Sequence, residues 1–274
     1  VNSRTAFLTF AVVLALHQPG AFAQGLIWNL PEDGTWIRYE GTYQQVEFRP
    51  ESPEGNLVIE WIRHLTIKSV GRETAEFAGE QVPCRWIEIK VQTGKPGEAG
   101  IDSGRIGERV NPRIYKVLIP EKWVNGQLRD ELGIPRSFVP IVRGYKKIGD
   151  NDPVPIRTKA LHLYPTVTLV RHFDQLTPDP AGPQDPGVGI GPVSALKHTG
   201  KLTQESPTLR LVNETQLWIS DQVPFGLAKW TVKIHEDKKA ANEPRSAFKP
   251  AREVTVQMQA METGTDAKSE LAAE

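Results

Sequence analysis

Alternation with a period of two runs through most of the chain and predicts β-strands with one buried face. It is longest over residues 57–70, where Leu57, Ile59, Trp61, Leu65 and Ile67 share one face. The other face mixes Glu60, His64, Thr66 and Lys68 with Val58, Ile62 and Val70. Residues 84–91 set Ile87, Ile89 and Val91 against Trp86, Glu88 and Lys90. Gly71 and residues 78–83 supply turn chemistry between these runs, so the pair reads as strand–turn–strand. Residues 36–48 are β-rich after the turn at Pro31-Glu32-Asp33-Gly34, and residues 113–119 alternate until Pro120 stops them. Residues 209–219 and 228–235 form a further pair joined by residues 220–226, in which Pro224 fixes φ and Gly226 is free to take a positive φ. Val254, Val256, Met258 and Ala260 alternate into a final strand.

The remainder is less regular. Glycines make residues 94–108 a loop, and Pro135, Pro140, Pro153 and Pro155 break residues 121–160, leaving room for short helical turns. Pro165 suits a first helical position, with Val167, Leu169, Val170 and Phe173 following, so a helix is expected over 165–174. Residues 176–192 hold five prolines and four glycines in 17 positions and read as a surface loop or linker. Gly187, Gly189 and Gly191 lack the strand–helix context of a dinucleotide fingerprint. Residues 263–274 are expected to be a disordered tail. The order β-β-β-β, irregular segment, helix, loop, β-β-β predicts a mainly β fold. The expected form is a curved antiparallel meander, a half-closed barrel with one or two short helices, occupying residues 24–262 as one domain; a β-sandwich is the alternative.

The first 23 residues read differently. Arg4 precedes an apolar run of eleven residues from Ala6 to Leu16, and Ala21-Phe22-Ala23 matches the small-x-small pattern of signal peptidase. Eleven helical residues span about half of the roughly 30 Å hydrocarbon core, which points to a cleaved secretory signal and a mature start at Gln24. The expected destination is the periplasm or the exterior. Elsewhere the composition is ordinary for a globular protein, 39% hydrophobic and 24% charged. Lys plus Arg and Asp plus Glu are each 33, a balance without the basic surplus that a nucleic-acid binder needs. The single cysteine, Cys84, excludes an intrachain disulfide and is expected to be buried and inert.

Catalytic signals are sparse. No H-E-x-x-H, paired-histidine metal spacing or G-x-S-x-G elbow occurs, so neither a metal nor a cofactor is expected. His172 and Asp174 form the only local acid–base pair, and a histidine at a helix end is equally explained by the helix dipole. Glu88 reads as a buried acid or as part of a solvated sheet face. Of the seven tryptophans, Trp61 and Trp230 lie on apolar faces and are expected to fill a core or line a cavity. Trp86 and Trp218 lie on polar faces and suit stacking on sugar rings.

The stretches LPEDGTWIRYEGTY (30–43), EWIRHLTIKSVGRET (60–74), PCRWIEIK (83–90) and LWISDQVPFGLAKW (217–230) resemble an uncharacterised family of exported bacterial proteins of the planctomycete type. The strand order and the W-x-S-x-x-V-P-x-G hairpin at Trp218–Gly226 are more distantly similar to the LolA and LppX type of periplasmic lipoprotein carrier. That resemblance implies an open half-barrel whose concave face holds acyl chains under a lid. The partner would then be a lipid or lipoprotein acyl chain, met by Trp61, Leu65, Ile87, Ile89 and Trp230, with residues 121–160 (Trp123, Phe138, Tyr145) as the lid. Each buried CH₂ would contribute about 0.8 kcal/mol. The alternative is a cell-envelope structural or carbohydrate-binding protein that uses its Trp faces.

Overall fold

The computed structural model describes residues 26–97, 112–124, 139–158, 160–161 and 176–271. The expected signal segment, the expected helix over 165–174, Phe138 and the His172/Asp174 pair lie outside these residues. The described residues form thirteen strands: β1 (Trp36–Glu47), β2 (Leu57–Phe77), β3 (Glu80–Gly94), β4 (Arg113–Pro120), β5 (Val139–Pro140), β6 (Arg143–Ile148), β7 (Val154–Pro155), β8 (Ala160–Leu161), β9 (Thr177–Pro178), β10 (Leu196–Glu205), β11 (Leu209–Ile219), β12 (Leu227–Lys238) and β13 (Lys249–Gly264). Eleven of them make one open antiparallel sheet in the order β7-β6-β4-β3-β2-β1-β13-β12-β11-β10-β9, and β5 pairs with β8 separately. The mainly β meander expected from the alternation is therefore present as a single sheet.

Two meanders meet where β1 pairs with β13, Trp36 opposite Gly264 and Glu47 opposite Arg252. The sheet is strongly curved. Tyr39 on β1 and Trp230 on β12 are separated by a whole strand, yet their ring centroids lie 5.0 Å apart in an edge-on contact. In a flat sheet, two strand spacings would separate them by about 9–10 Å. Gly41 belongs to this bend: a Cβ there would lie 1.8 Å from the Gln257 carbonyl oxygen.

A bulge between Ser69 and Arg72 places one extra residue in β2 and reverses its faces. Before it, Leu65 and Ile67 point to the inner face; after it, Ala75 and Phe77 point outward. There they pack with Val82, Cys84, Trp86 and Leu118 as a small second cluster. Gly71, at φ +134, provides the backbone freedom that the bulge requires. The chain thus continues as strand through a position where the sequence predicts a turn, and the actual turn is the two residues Ala78 and Gly79, both at positive φ.

The inner face carries the main core, including Ile37, Tyr39, Leu65, Ile67, Ile87, Ile89, Val117, Leu217, Trp230 and Val232. Leu26, Ile27 and Trp28 lie over it, and the Trp28 amide donates to the Phe225 carbonyl at 2.9 Å. Two expectations are corrected. The Pro/Gly-rich stretch 176–192 is a loop but not a loose linker: Leu176 and Val188 are buried in the core, β9 pairs with β10, and the Gly189 amide donates to the Ala260 carbonyl. The tail is ordered as far as Leu271. Residues to Gly264 complete β13, and the next seven lie across the outer face of β1–β4.

Candidate functional site

Four of the five residues expected to meet a ligand, Leu65, Ile87, Ile89 and Trp230, come together on the inner face and are fully buried at 0% exposure. Their surroundings are the chain's own Leu26–Trp28 segment, Phe225 and the neighbouring strands. Burial of this kind leaves no room against these side chains for a water molecule. The fifth, Trp61, is half-buried in the outer half of β2, opposite Tyr43, and Leu57 beyond it is exposed, so the apolar face read over 57–67 is core only in its second half. Near Trp61, the Arg63 guanidinium stands 5.6 Å from the Tyr43 ring centre. Trp123, from the expected lid, packs edge-on against Phe77 at 6.1 Å, and Tyr145 packs on the outer cluster.

Within the inner core, the Tyr39 hydroxyl donates to the Leu227 carbonyl at 2.8 Å. Burial pushes its phenol far above the ordinary value. Trp230 Nε1 has no hydrogen-bond acceptor among the described residues.

The outer face of β9–β13 is of different character. Cross-strand pairing sets Thr177, Thr199, Gln216, Thr231 and Gln257 side by side in one row. The next row holds Lys201, Glu214, Lys233 and Thr255. A row on the other side holds Lys197, Trp218, Lys229 and Gln259. Strand alternation turns these polar side chains outward while Leu217, Trp230 and Val232 turn inward. Part of this surface forms a shallow cleft of about 560 Å³ lined by Thr177, Thr199, Lys201, Glu214, Gln216, Thr231 and Lys233. The Lys201 ammonium donates to Glu214 at 2.6 Å, and that hydrogen bond holds the Glu214 carboxyl below its ordinary value. Half-buried Trp218 has Lys197 and Lys229 ammonium groups each 5.5 Å from its ring centre. Trp218 thus keeps the polar-face position expected of it. Trp86 does not: it is buried in the second cluster, with Nε1 donating to Glu73 at 2.9 Å.

A third feature lies on the outer face of β1–β4. Glu88 is fully buried there, beneath the segment that follows β13. Its carboxylate accepts from the Ser269 hydroxyl at 2.7 Å, from the Glu270 amide at 3.0 Å and from the Leu271 amide at 3.2 Å. Lys68 pairs with both Glu88 and Glu270, Lys90 with Glu270, and Lys116 donates to the Leu271 carbonyl at 2.7 Å. Burial alone would raise the Glu270 carboxyl, but hydrogen bonds from Lys68 and Lys90 outweigh it and hold it below its ordinary value. Glu88 is therefore the buried acid that its strand position allowed, and its partners are two main-chain amides, the Ser269 hydroxyl and Lys68.

Neither the polar rows nor the Glu88 cradle stands out in the sequence as a motif. The outward positions of β10, β11 and β12 (Lys197, Thr199 and Lys201; Glu214 and Gln216; Lys229, Thr231 and Lys233) alternate visibly as polar residues, but only the register brings them into rows. Among the described residues, no three His, Cys, Asp or Glu side chains group as metal ligands, and no helix is long and apolar enough to cross a membrane. No known protein family and no curated protein sequence matches the chain.

Proposed function

We propose that the chain is an exported, non-enzymatic binding protein whose ligand is a saccharide held on the outer face of β9–β13. The observation that carries this reading is the row of hydroxyl and amide side chains at Thr177, Thr199, Gln216, Thr231 and Gln257, open to solvent beside Trp218. Sugar hydroxyls both donate and accept, and they are matched by side chains that do the same, namely Thr and Gln. An aromatic ring at the edge of such a row gives the apolar face of a pyranose something to pack on. The filled inner face supports the same choice, because apolar residues expected to await an acyl chain already pack on one another. Export is supported by the signal-like pattern of residues 1–23.

The test is calorimetric titration of the mature chain with a panel of neutral and acidic oligosaccharides. Saturable binding is expected, weakened at least tenfold by Gln216→Ala and by Trp218→Ala. The acyl-chain ligand expected on the inner face is put to the same test. Fatty acid is therefore included in the panel. Binding of fatty acid alone, or oligosaccharide binding indifferent to both substitutions, refutes the saccharide assignment.

A further inference from the structure

The segment over Glu88 is held in an unusual way for part of a β-domain. It adds no strand to the sheet, and the Ala267 amide to the Gly34 carbonyl, at 2.8 Å, is its one backbone–backbone hydrogen bond to the body of the protein among those found in the described residues. Its attachment is otherwise made by side chains. Trp36 Nε1 donates to Asp266 at 2.8 Å, three lysines and Glu88 grip residues 268–271, and Leu271 is the segment's one buried apolar anchor among the described residues. A cleft of about 500 Å³ stays open between the segment and the sheet, lined by Trp36, Thr66, Lys68 and residues 266–270.

Charge matches across the contact. Beneath the segment, Lys68, Lys90 and Lys116 outnumber Glu88, leaving a surplus of two positive charges. Residues 266–271 carry Asp266 and Glu270 against Lys268, a surplus of one negative charge. The specificity of the cradle is likewise that of a peptide receptor. A buried carboxylate accepts consecutive main-chain amides, as such groups do wherever backbone is captured, and a flanking hydroxyl and an aliphatic side chain fix the register. Attachment through ion pairs and amide–carboxylate hydrogen bonds weakens with salt and is replaceable piece by piece, whereas a strand within the sheet leaves only when the sheet opens.

From this we infer that the outer face of β1–β4 is a peptide-binding site centred on Glu88, with the chain's own Asp266–Leu271 as resident ligand. It takes acidic peptides of the pattern Ser-acidic-aliphatic when the resident lifts away. The resident competes from the same molecule, so its effective concentration is in the millimolar range and an outside peptide binds the intact chain weakly.

The experiment uses the full chain and a fluorophore-labelled nonapeptide of residues 266–274. Leu271→Asp removes the resident's anchor, and the labelled peptide is expected to bind this variant at least tenfold more tightly than wild type, by anisotropy. Adding Glu88→Gln to Leu271→Asp is expected to cost at least tenfold in turn, with near-ultraviolet dichroism confirming the fold. Equal binding to wild type and Leu271→Asp, or indifference to Glu88→Gln, overturns the proposal. Native-state hydrogen exchange provides the second measure should Leu271→Asp fail to fold. Amides of Ser269–Leu271 are expected to exchange at least a hundredfold faster than those of Val254–Ala260, and faster still in 0.5 M salt than in 0.05 M salt. Exchange as slow as that of β13 would make the segment a fixed part of the fold and overturn the assignment.

Discussion

Tyr39 joins the two halves of the sheet through one hydroxyl, and Tyr39→Phe isolates what that hydroxyl does. The substitution keeps the ring and its 5.0 Å edge-on contact with Trp230, and removes only the 2.8 Å hydrogen bond to the Leu227 carbonyl. The site is fully buried, so water cannot readily replace the lost donor, and the expected loss at pH 7 is about 1–2 kcal/mol. For a domain of this size that corresponds to a fall in Tm of roughly 2–8 °C. The pH dependence supplies a sharper check. Burial holds the Tyr39 phenol protonated far above its ordinary value of 10.0. Above about pH 10 the unfolded chain releases this proton while the folded chain keeps it, so the unfolded state binds fewer protons and stability falls as pH rises. The fall is about 1.4 kcal/mol for each pH unit beyond the unfolded value. Tyr39→Phe lacks this contribution, and all other titrating groups are common to both proteins. Urea denaturation at pH 7, 9, 10 and 11 should therefore show wild type leading at pH 7 and the gap closing near pH 11. A gap below about 0.3 kcal/mol at pH 7, or one that stays constant to pH 11, would refute the reasoning.

Two further outcomes follow from local geometry. Gly226 has φ +84, and a Cβ there would lie 2.6 Å from the Trp28 Cβ, so Gly226→Ala should destabilise by about 2–4 kcal/mol in denaturant titration; a loss below about 1 kcal/mol would show that the Trp28 segment yields freely. Cys84 is 1% exposed and burial pushes its thiol up, so a thiol reagent at pH 8 should label the native chain at least a hundredfold more slowly than the unfolded chain, and stoichiometric native labelling within minutes would contradict that placement.

Much of the sheet was legible because its inner-face residues recur at every second position along the strands. Residues 84–91 and 228–235 alternate as expected, and Ile87, Ile89, Trp230 and Val232 are core. The hairpin at residues 220–226 was legible in chemical detail, and Gly226 does take a positive φ. Other parts depend on partners distant in sequence. β10 (LKHTGKLTQE) has little apolar content on either face and is a strand because its backbone pairs with β11. The extra residue at Ser69–Arg72 resembled a turn because Gly71 serves a bulge as well as it serves a turn. Trp86 looked exposed because the side chains that cover it, Phe77, Val82 and Leu118, belong to three strands whose register was unknown. The segment after β13 looked disordered because its own residues are small and polar; its order comes from Glu88, Lys68, Lys90 and Lys116, more than a hundred residues earlier.

The pairing of β1 with β13 at the centre of the sheet has a consequence for how the protein is made. A chain that emerges N-terminus first presents β1 early, and the strand that completes its far edge is the last to appear. Until then the early meander ends in twelve residues of unpaired edge at Trp36–Glu47, and the later meander ends in another at β12. Bare edges of this length are templates for pairing with other chains. Closure of so many long-range contacts is also intrinsically slow. The final strand therefore acts as a seam: while it is missing, the two halves can collapse separately but neither is finished. Any compartment that folds this protein must shield both edges during the interval, and truncations that remove β13 should yield aggregates in place of two stable halves.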